Sequence, residues 1–189
     1  MKNIAIFASG SGSNAERIVK YFTDSEQINV KIFLCNNPEA GVIQRAERLQ
    51  IPLVMFDRSA FKSGEVVKIL QENQIDWVIL AGFLWLVPKN MVEAFLNRII
   101  NIHPALLPKF GGKGMYGHFV HEAVVENKET ESGITIHFVN EHYDEGGMIF
   151  QASFPVLPTD LPEDVARKGQ VLEHKFFPEV IEKVILANR

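Results

Sequence analysis

The chain has a single cysteine among its 189 residues, so no internal disulfide can form and no second thiol completes a redox pair. Cys35 closes an apolar run, where a small packed side chain is its expected use, and a reduced cytoplasm is the expected setting. Long hydrophobic runs are missing as well. The first apolar stretch, Ile4 to Ala8, is too short for a signal peptide, and no cleavage region follows it. Nothing approaches the ~20 residues of a membrane span. Positive charge is not in excess either: 19 Lys and Arg against 23 Asp and Glu leave a net charge of −4, which argues against a broad nucleic-acid surface. Neither an internal repeat nor a low-complexity tract is present, and no linker is long enough to divide the chain. At 47% apolar and 22% charged, the composition is that of a soluble globular protein. One α/β domain over 1–189 is expected, with sub-regions 1–102 and 103–189.

Apolar bursts rich in Val and Ile alternate with helix-period segments. Strands are expected at 3–8, 29–35, 53–55, 76–81, 98–102, 133–139 and 148–154. Helices are expected at about 14–23, 39–49, 64–73, 89–95, 117–126 and 163–187. Runs such as Trp77-Val78-Ile79-Leu80-Ala81 read as strands buried on both faces, hence a doubly wound, mostly parallel sheet. In such sheets ligands bind beyond the carboxyl ends of the strands.

The segment Asn101-Ile102-His103-Pro104-Ala105-Leu106-Leu107-Pro108 carries the most chemistry. A strand alternates its faces, so Asn101 and His103 point the same way at the end of a strand. Two groups able to stabilise a carbonyl oxygen, followed by proline-fixed turns, suit an acyl-transfer site, although a loop histidine is commonly a bystander.

The first strand runs into Ser9-Gly10-Ser11-Gly12-Ser13-Asn14-Ala15 and then a helix. Glycines let the backbone turn tightly, so that its N–H groups and the positive helix end can hold an anion. Gly10, Gly12 and Ala15 also fit a dinucleotide pattern. The acid that should follow the second strand is absent, however, because that strand ends Cys35-Asn36-Asn37. No lysine stands at a P-loop spacing. A mononucleotide-type phosphate is favoured over NAD and over a purely structural turn.

Asp144, before Gly146-Gly147, is either an ordinary turn residue or a carboxylate aimed inward. Beside His103 it would favour the imidazolium and raise its pKa. On the last helix Arg167, Gln170, Glu173 and His174 share a face, either as a solvated stripe or with Glu173 on sugar hydroxyls. His118, His121 and His137 show no pattern. Lys109 and Lys113 are either exposed or placed to meet an anion.

These pieces together resemble the phosphoribosylglycinamide formyltransferase family over nearly the whole chain. The carriers are Ser9–Asn14, Leu80-Ala81-Gly82-Phe83, Asn101-Ile102-His103-Pro104 with Leu106-Leu107-Pro108, His137-Phe138-Val139 followed by Asp144, and Gln170 with Glu173-His174. The resemblance implies a Rossmann-like formyltransferase fold with an antiparallel C-terminal portion. It implies formyl transfer from 10-formyltetrahydrofolate to the amine of glycinamide ribonucleotide, in purine biosynthesis. Asn101, His103 and Asp144 would then be the catalytic trio. Gly10, Ser11, Gly12, Ser13 and Asn14 would hold the phosphate, with Gln170 and Glu173 on the ribonucleotide as well. Leu84, Trp85, Leu86, Val87, Asn140, Glu141 and Asp144 would line the folate site. The Leu107–Pro108 bond would be cis. No metal is required, the partners are small molecules rather than nucleic acid or membrane, and the protein is a monomer or homodimer. Such enzymes often carry an arginine where Trp85 stands and another near Gly64; this chain has neither, with Lys62 the nearest cation. The glycine-rich loop 109–117 is expected to order over ligand.

Rival readings are formyl transfer to methionyl-tRNA or an amino sugar, formyltetrahydrofolate hydrolysis, and a nucleotide sensor without catalysis. The other transferases carry a further domain after the core and the hydrolases one before it. This chain begins its first strand at residue 3 and ends at Arg189.

Overall fold

Strands buried on both faces pair in parallel when each returns across a helix. The computed structural model, which describes residues 1–188, gathers seven strands into one sheet. They are β1 (Lys2–Ala8), β2 (Ile28–Cys35), β3 (Leu53–Met55), β4 (Trp77–Leu80), β5 (Ile99–His103), β6 (Glu131–Phe138) and β7 (Met148–Pro155). Their order is β3-β2-β1-β4-β5-β6-β7. Pairing is parallel from β3 through β5, whereas β6 and β7 join antiparallel. This is the doubly wound sheet that the pattern predicts, with the antiparallel C-terminal portion that the family resemblance implies.

The helices are α1 (Ser13–Phe22), α2 (Val42–Leu49), α3 (Arg58–Ser63), α4 (Glu65–Glu72), α5 (Lys89–Ala94), α6 (His118–Glu126) and α7 (Pro162–Ala187). Alternation along β1 sends Ile4, Ile6 and Ala8 to one face, packed with Ile18 and Phe22 of α1 and Phe177 and Ile181 of α7. Ala5 and Phe7 face the other way, onto Phe61, Val66, Leu70 and Met91. Among the described residues no helix is long and apolar enough to cross a membrane.

Two helices differ from expectation for local reasons. The helix expected over 64–73 is α4, which starts at Glu65, and a further helix that was not expected, α3, precedes it, the two parted at Gly64 with φ of 89°. Asp57 starts the extra helix, its side chain accepting the Ala60 N–H at 2.8 Å. Helix α2 begins at Val42 rather than 39, since Asn37 closes a side-chain turn on the Glu39 N–H at 3.0 Å.

Strand order reverses between β1 and β4. The loops leaving these neighbours therefore diverge and open a crevice at their carboxyl ends. The Ser9 N–H donates to the Gly82 carbonyl at 3.0 Å, and Ser9 Oγ accepts the Leu84 N–H at 3.1 Å, which joins the two loops across the crevice floor.

At the antiparallel end, Gly133 of β6 lies opposite Ser153 of β7. A Cβ there would run into the Ala152 carbonyl and come within 2.7 Å of a Leu106 methyl and 2.9 Å of the Ser153 Cα. Gly133→Ala is therefore expected to destabilise the fold by about 3 kcal/mol through overpacking. Urea unfolding measures this, and an unchanged midpoint would refute the backbone clash.

Candidate active site

Strand β5 ends with Asn101 and His103 on one side, as its period of two requires, and both line a cleft of about 520 Å³. Antiparallel pairing sets His137 opposite Asn101 and Thr135 opposite His103. The His137 Nδ1 is 2.8 Å from the Phe138 carbonyl oxygen and its Nε2 is 3.0 Å from Asn101 Nδ2. A carbonyl can only accept, so Nδ1 carries the proton, and Nε2 faces both the Asn101 amide and, at 3.6 Å, Asp144 Oδ1. His137 thereby sets which way Asn101 faces.

Thr135 anchors the chain after His103. Its hydroxyl donates to the Ala105 carbonyl at 2.7 Å and accepts the Leu107 N–H at 3.0 Å, while Gln151 Nε2 donates to the Leu107 carbonyl at 3.0 Å. The Leu107–Pro108 bond is cis.

His103 is buried. Its Nε2 donates to the Phe110 carbonyl at 2.7 Å and its Nδ1 lies 3.5 Å from Asp144 Oδ2. Asp144 reaches this place from a left-handed backbone conformation, φ of 54°, which Asp tolerates better than most residues. Its Oδ2 also accepts the Gly112 N–H at 3.0 Å. The loop 109–117 is thus tied to both His103 and Asp144, and it lines the cleft from Gly112 to Gly117.

The charge balance differs from the sequence expectation in one respect. Burial lowers the His103 pKa below the ordinary histidine value, against the opposing pull of Asp144 and of the Phe110 carbonyl. The aspartate raises the imidazole's pKa, as expected, but desolvation outweighs it. For Asp144 burial acts upward, yet His137, His103 and the Gly112 N–H together hold the carboxyl below its usual range.

A second pocket, about 250 Å³, lies at the crevice under Gly10–Asn14 and is also lined by Gly82, His121, Gln170 and Glu173. It borders the large cleft, since Asn14, Gly82 and Glu173 line both. Gly12 turns the chain into α1 with φ of 75°. Asn14 lies within α1 and donates from Nδ2 to Glu173 Oε2 at 2.8 Å. Glu173 has its carboxyl pKa raised by burial, with the Asn14 bond acting the other way. Ser13 Oγ meets Gln170 Nε2 at 3.2 Å and His174 Nε2 at 3.3 Å. Outside the pocket Arg45 donates from Nε to the Ser11 carbonyl at 2.7 Å. The same Arg45, with Arg48 and Lys20, surrounds the buried Glu16 and holds its carboxyl far below the usual range, Arg48 acting most strongly.

Leu84 and Trp85 line the large cleft, and Trp85, Leu86 and Val87 line a small adjoining pocket with Tyr143 and Asp144. Asn140 and Glu141 line neither; Asn140 instead accepts the His142 N–H at 2.9 Å. Lys109 is paired with Glu129 at 3.1 Å, whereas Lys113 lines the cleft. One residue passed over in the sequence is Arg58, whose guanidinium stacks 4.3 Å from the centre of the Trp85 ring with both in the cleft wall. The chain therefore does present an arginine there. The Asp57 capping signal, which starts α3, is the local feature that could have found it.

The formyl transferase family model matches residues 2–181. The chain belongs to the formyl transferase family. It is 41% identical over 187 residues to a chloroplastic phosphoribosylglycinamide formyltransferase of Arabidopsis thaliana, covering 95% of this chain and 64% of that protein. With the Vigna unguiculata protein of the same name it is 40% identical and spans 60% of its length. The phosphoribosylglycinamide formyltransferase of Bacillus subtilis is 33% identical over 195 residues, with 100% of this chain and 97% of that protein covered. The crystal structure of the phosphoribosylglycinamide formyltransferase of Bacillus halodurans superimposes with a TM-score of 0.87 at 35% identity, over 97% of this chain and 95% of that one. Within the formyl transferase family, then, relatives of this name match along nearly the whole of the present chain.

Proposed function

We propose that this formyl transferase moves the formyl group of 10-formyltetrahydrofolate to the amine of glycinamide ribonucleotide, giving the formylated ribonucleotide of purine biosynthesis. The observation that carries this reading is the convergence of Asn101, His103 and Asp144 in a cleft that adjoins the Gly10–Asn14 pocket. A ribonucleotide held by its phosphate at that loop extends towards the trio, and Glu173 and Gln170 stand where sugar hydroxyls pass.

The folate fits the large cleft by chemistry. Leu84 and Trp85 offer an apolar wall, main-chain groups of 84–87 and of 142–144 offer edge partners, and Arg58 and Lys113 offer positive charge to a glutamate tail. Attack of the substrate amine places negative charge on the formyl oxygen. Asn101 donates to that oxygen from the amide, which His137 orients. His103, once protonated, adds its positive charge beside that oxygen, and donates to it directly when Nε2 exchanges the Phe110 carbonyl at 2.7 Å for it, each such donor typically contributing about 3 kcal/mol. Asp144, held below its usual range, favours the imidazolium and, through water, takes the amine proton and passes it to the departing folate nitrogen as the tetrahedral centre collapses and its bond to that nitrogen breaks. No covalent intermediate on the protein is needed.

The test is folate deformylation followed spectrophotometrically with purified protein and a 10-formyl folate, with and without glycinamide ribonucleotide. Deformylation that requires the ribonucleotide is expected. Deformylation without it would turn the reading to a hydrolase, and none in either case to another acceptor or donor.

A further inference from the structure

The mechanism above leaves one buried titratable group in the ribonucleotide pocket unused. His121, in the first turn of α6, is 9% exposed and lines the pocket beneath Gly10–Asn14. Its Nδ1 is buried and has no hydrogen-bond partner. Asn14 Oδ1, in the same wall, is likewise buried and unpartnered. Orphaned polar atoms are costly to leave unpaired: the His121 nitrogen calls for a polar ligand group, and Asn14 Oδ1, which can only accept, calls for a donor such as a sugar hydroxyl of the same ligand.

The charges around this pocket narrow the chemistry of that ligand. Among the described residues no lysine or arginine lines it, and His121 is the one lining residue able to become a cation. Arg45, the nearest arginine to the loop, is turned outward to the Ser11 carbonyl and to Glu16. On the facing elements stand Glu173 of α7, whose carboxyl burial favours in neutral form, and His103 at the end of β5; His118 precedes His121 on α6 itself. A dianion entering here meets main-chain N–H groups and this imidazole, with no fixed positive side chain.

We propose that His121 is a binding residue for the substrate's phosphomonoester, its imidazole hydrogen-bonding the dianion as it docks. The inference rests on the ribonucleotide reading of the pocket given above. In the absence of ligand, burial keeps the imidazole below the ordinary histidine range, with the fields of His103 and His118 acting in the same direction. A phosphate against the ring reverses the balance, because an adjacent opposite charge favours the protonated form.

Calorimetric titration with ribose 5-phosphate, at pH 7.5 in two buffers of different ionisation enthalpy, reads both affinity and proton uptake. The wild-type protein is expected to take up a fraction of a proton on binding, and to bind more weakly as pH rises from 6.5 to 8.5. His121→Asn and His121→Gln are expected to weaken binding about 10- to 100-fold, the range for losing one charge-assisted hydrogen bond, and to abolish the uptake. With saturating ribonucleotide their kcat should stay within about threefold of wild type, because the effect falls on KM. A merely structural role would lower the melting temperature without removing proton uptake. Binding and uptake unchanged in a folded variant would overturn the proposal and leave the ribonucleotide reading standing. A wild-type protein that binds no ribose 5-phosphate would overturn both.

Discussion

Replacing His103 by alanine is expected to lower kcat by about 10³-fold while the affinity for glycinamide ribonucleotide changes by less than about threefold. Loss of one oxyanion donor typically costs 10²–10³ in kcat. This donor is also the group that Asp144 faces at 3.5 Å, so the carboxylate loses its partner too. Affinity is spared because the pocket under Gly10–Asn14 is lined by other residues. The bond from Nε2 to the Phe110 carbonyl disappears, leaving the loop 109–117 held at this end by Asp144 and the Gly112 N–H. Folate KM should therefore rise. Single-turnover kinetics with direct ribonucleotide binding separates these effects, and a kcat within tenfold of wild type would remove His103 from the mechanism.

The features legible in the sequence are those with a short period or a local cause. Buried parallel strands announce themselves as continuous apolar runs, and the five of them, like the two antiparallel strands β6 and β7, fall within two residues of their expected bounds. Asn101 and His103 share a face because a strand has a period of two, and no tertiary information is needed for that. Asp144 belongs to the same site for a non-local reason: β6 lies antiparallel beside β5, so the loop after β6 returns over the end of β5. Sequence chemistry could name Asp144 as a candidate but not show what it faces. The same holds for Asn14, expected as a phosphate donor and found with its amide already given to Glu173.

Protonation was the least legible property, because a pKa depends on burial and burial depends on the whole fold. A carboxylate near His103 does act upward on the imidazole, but the ring is 3% exposed beneath the 109–117 loop, and desolvation exceeds that pull. On the proposed mechanism His103 becomes charged as negative charge develops beside it on the substrate. His121 repeats the pattern in the adjoining pocket, also buried and also held low. On both proposals ligand charge, and not solvent pH alone, sets the state of these two histidines.

Asp144→Asn separates charge from shape and should lower kcat by about 10²- to 10⁴-fold, the usual range for a lost proton-transfer group. Asparagine has nearly the same size, tolerates the φ of 54°, and keeps an oxygen to accept the Gly112 N–H at its present 3.0 Å. The turn and the loop contact should survive. The upward pull on His103 and the acceptor for the amine proton are lost. Activity that needs the imidazolium declines as pH rises through the His103 pKa; in the variant that pKa is lower still, so the decline should begin at lower pH. Stability gives an independent sign. The native Asp144 carboxyl lies below its unfolded value near 3.9, so its contribution is present above that pH and is lost as pH falls through the folded value. The difference in melting temperature between wild type and variant should therefore shrink below about pH 4. A variant with wild-type kcat at neutral pH, or a melting difference constant from pH 7 to 3, would show that Asp144 serves as a turn residue and that its charge does no chemistry.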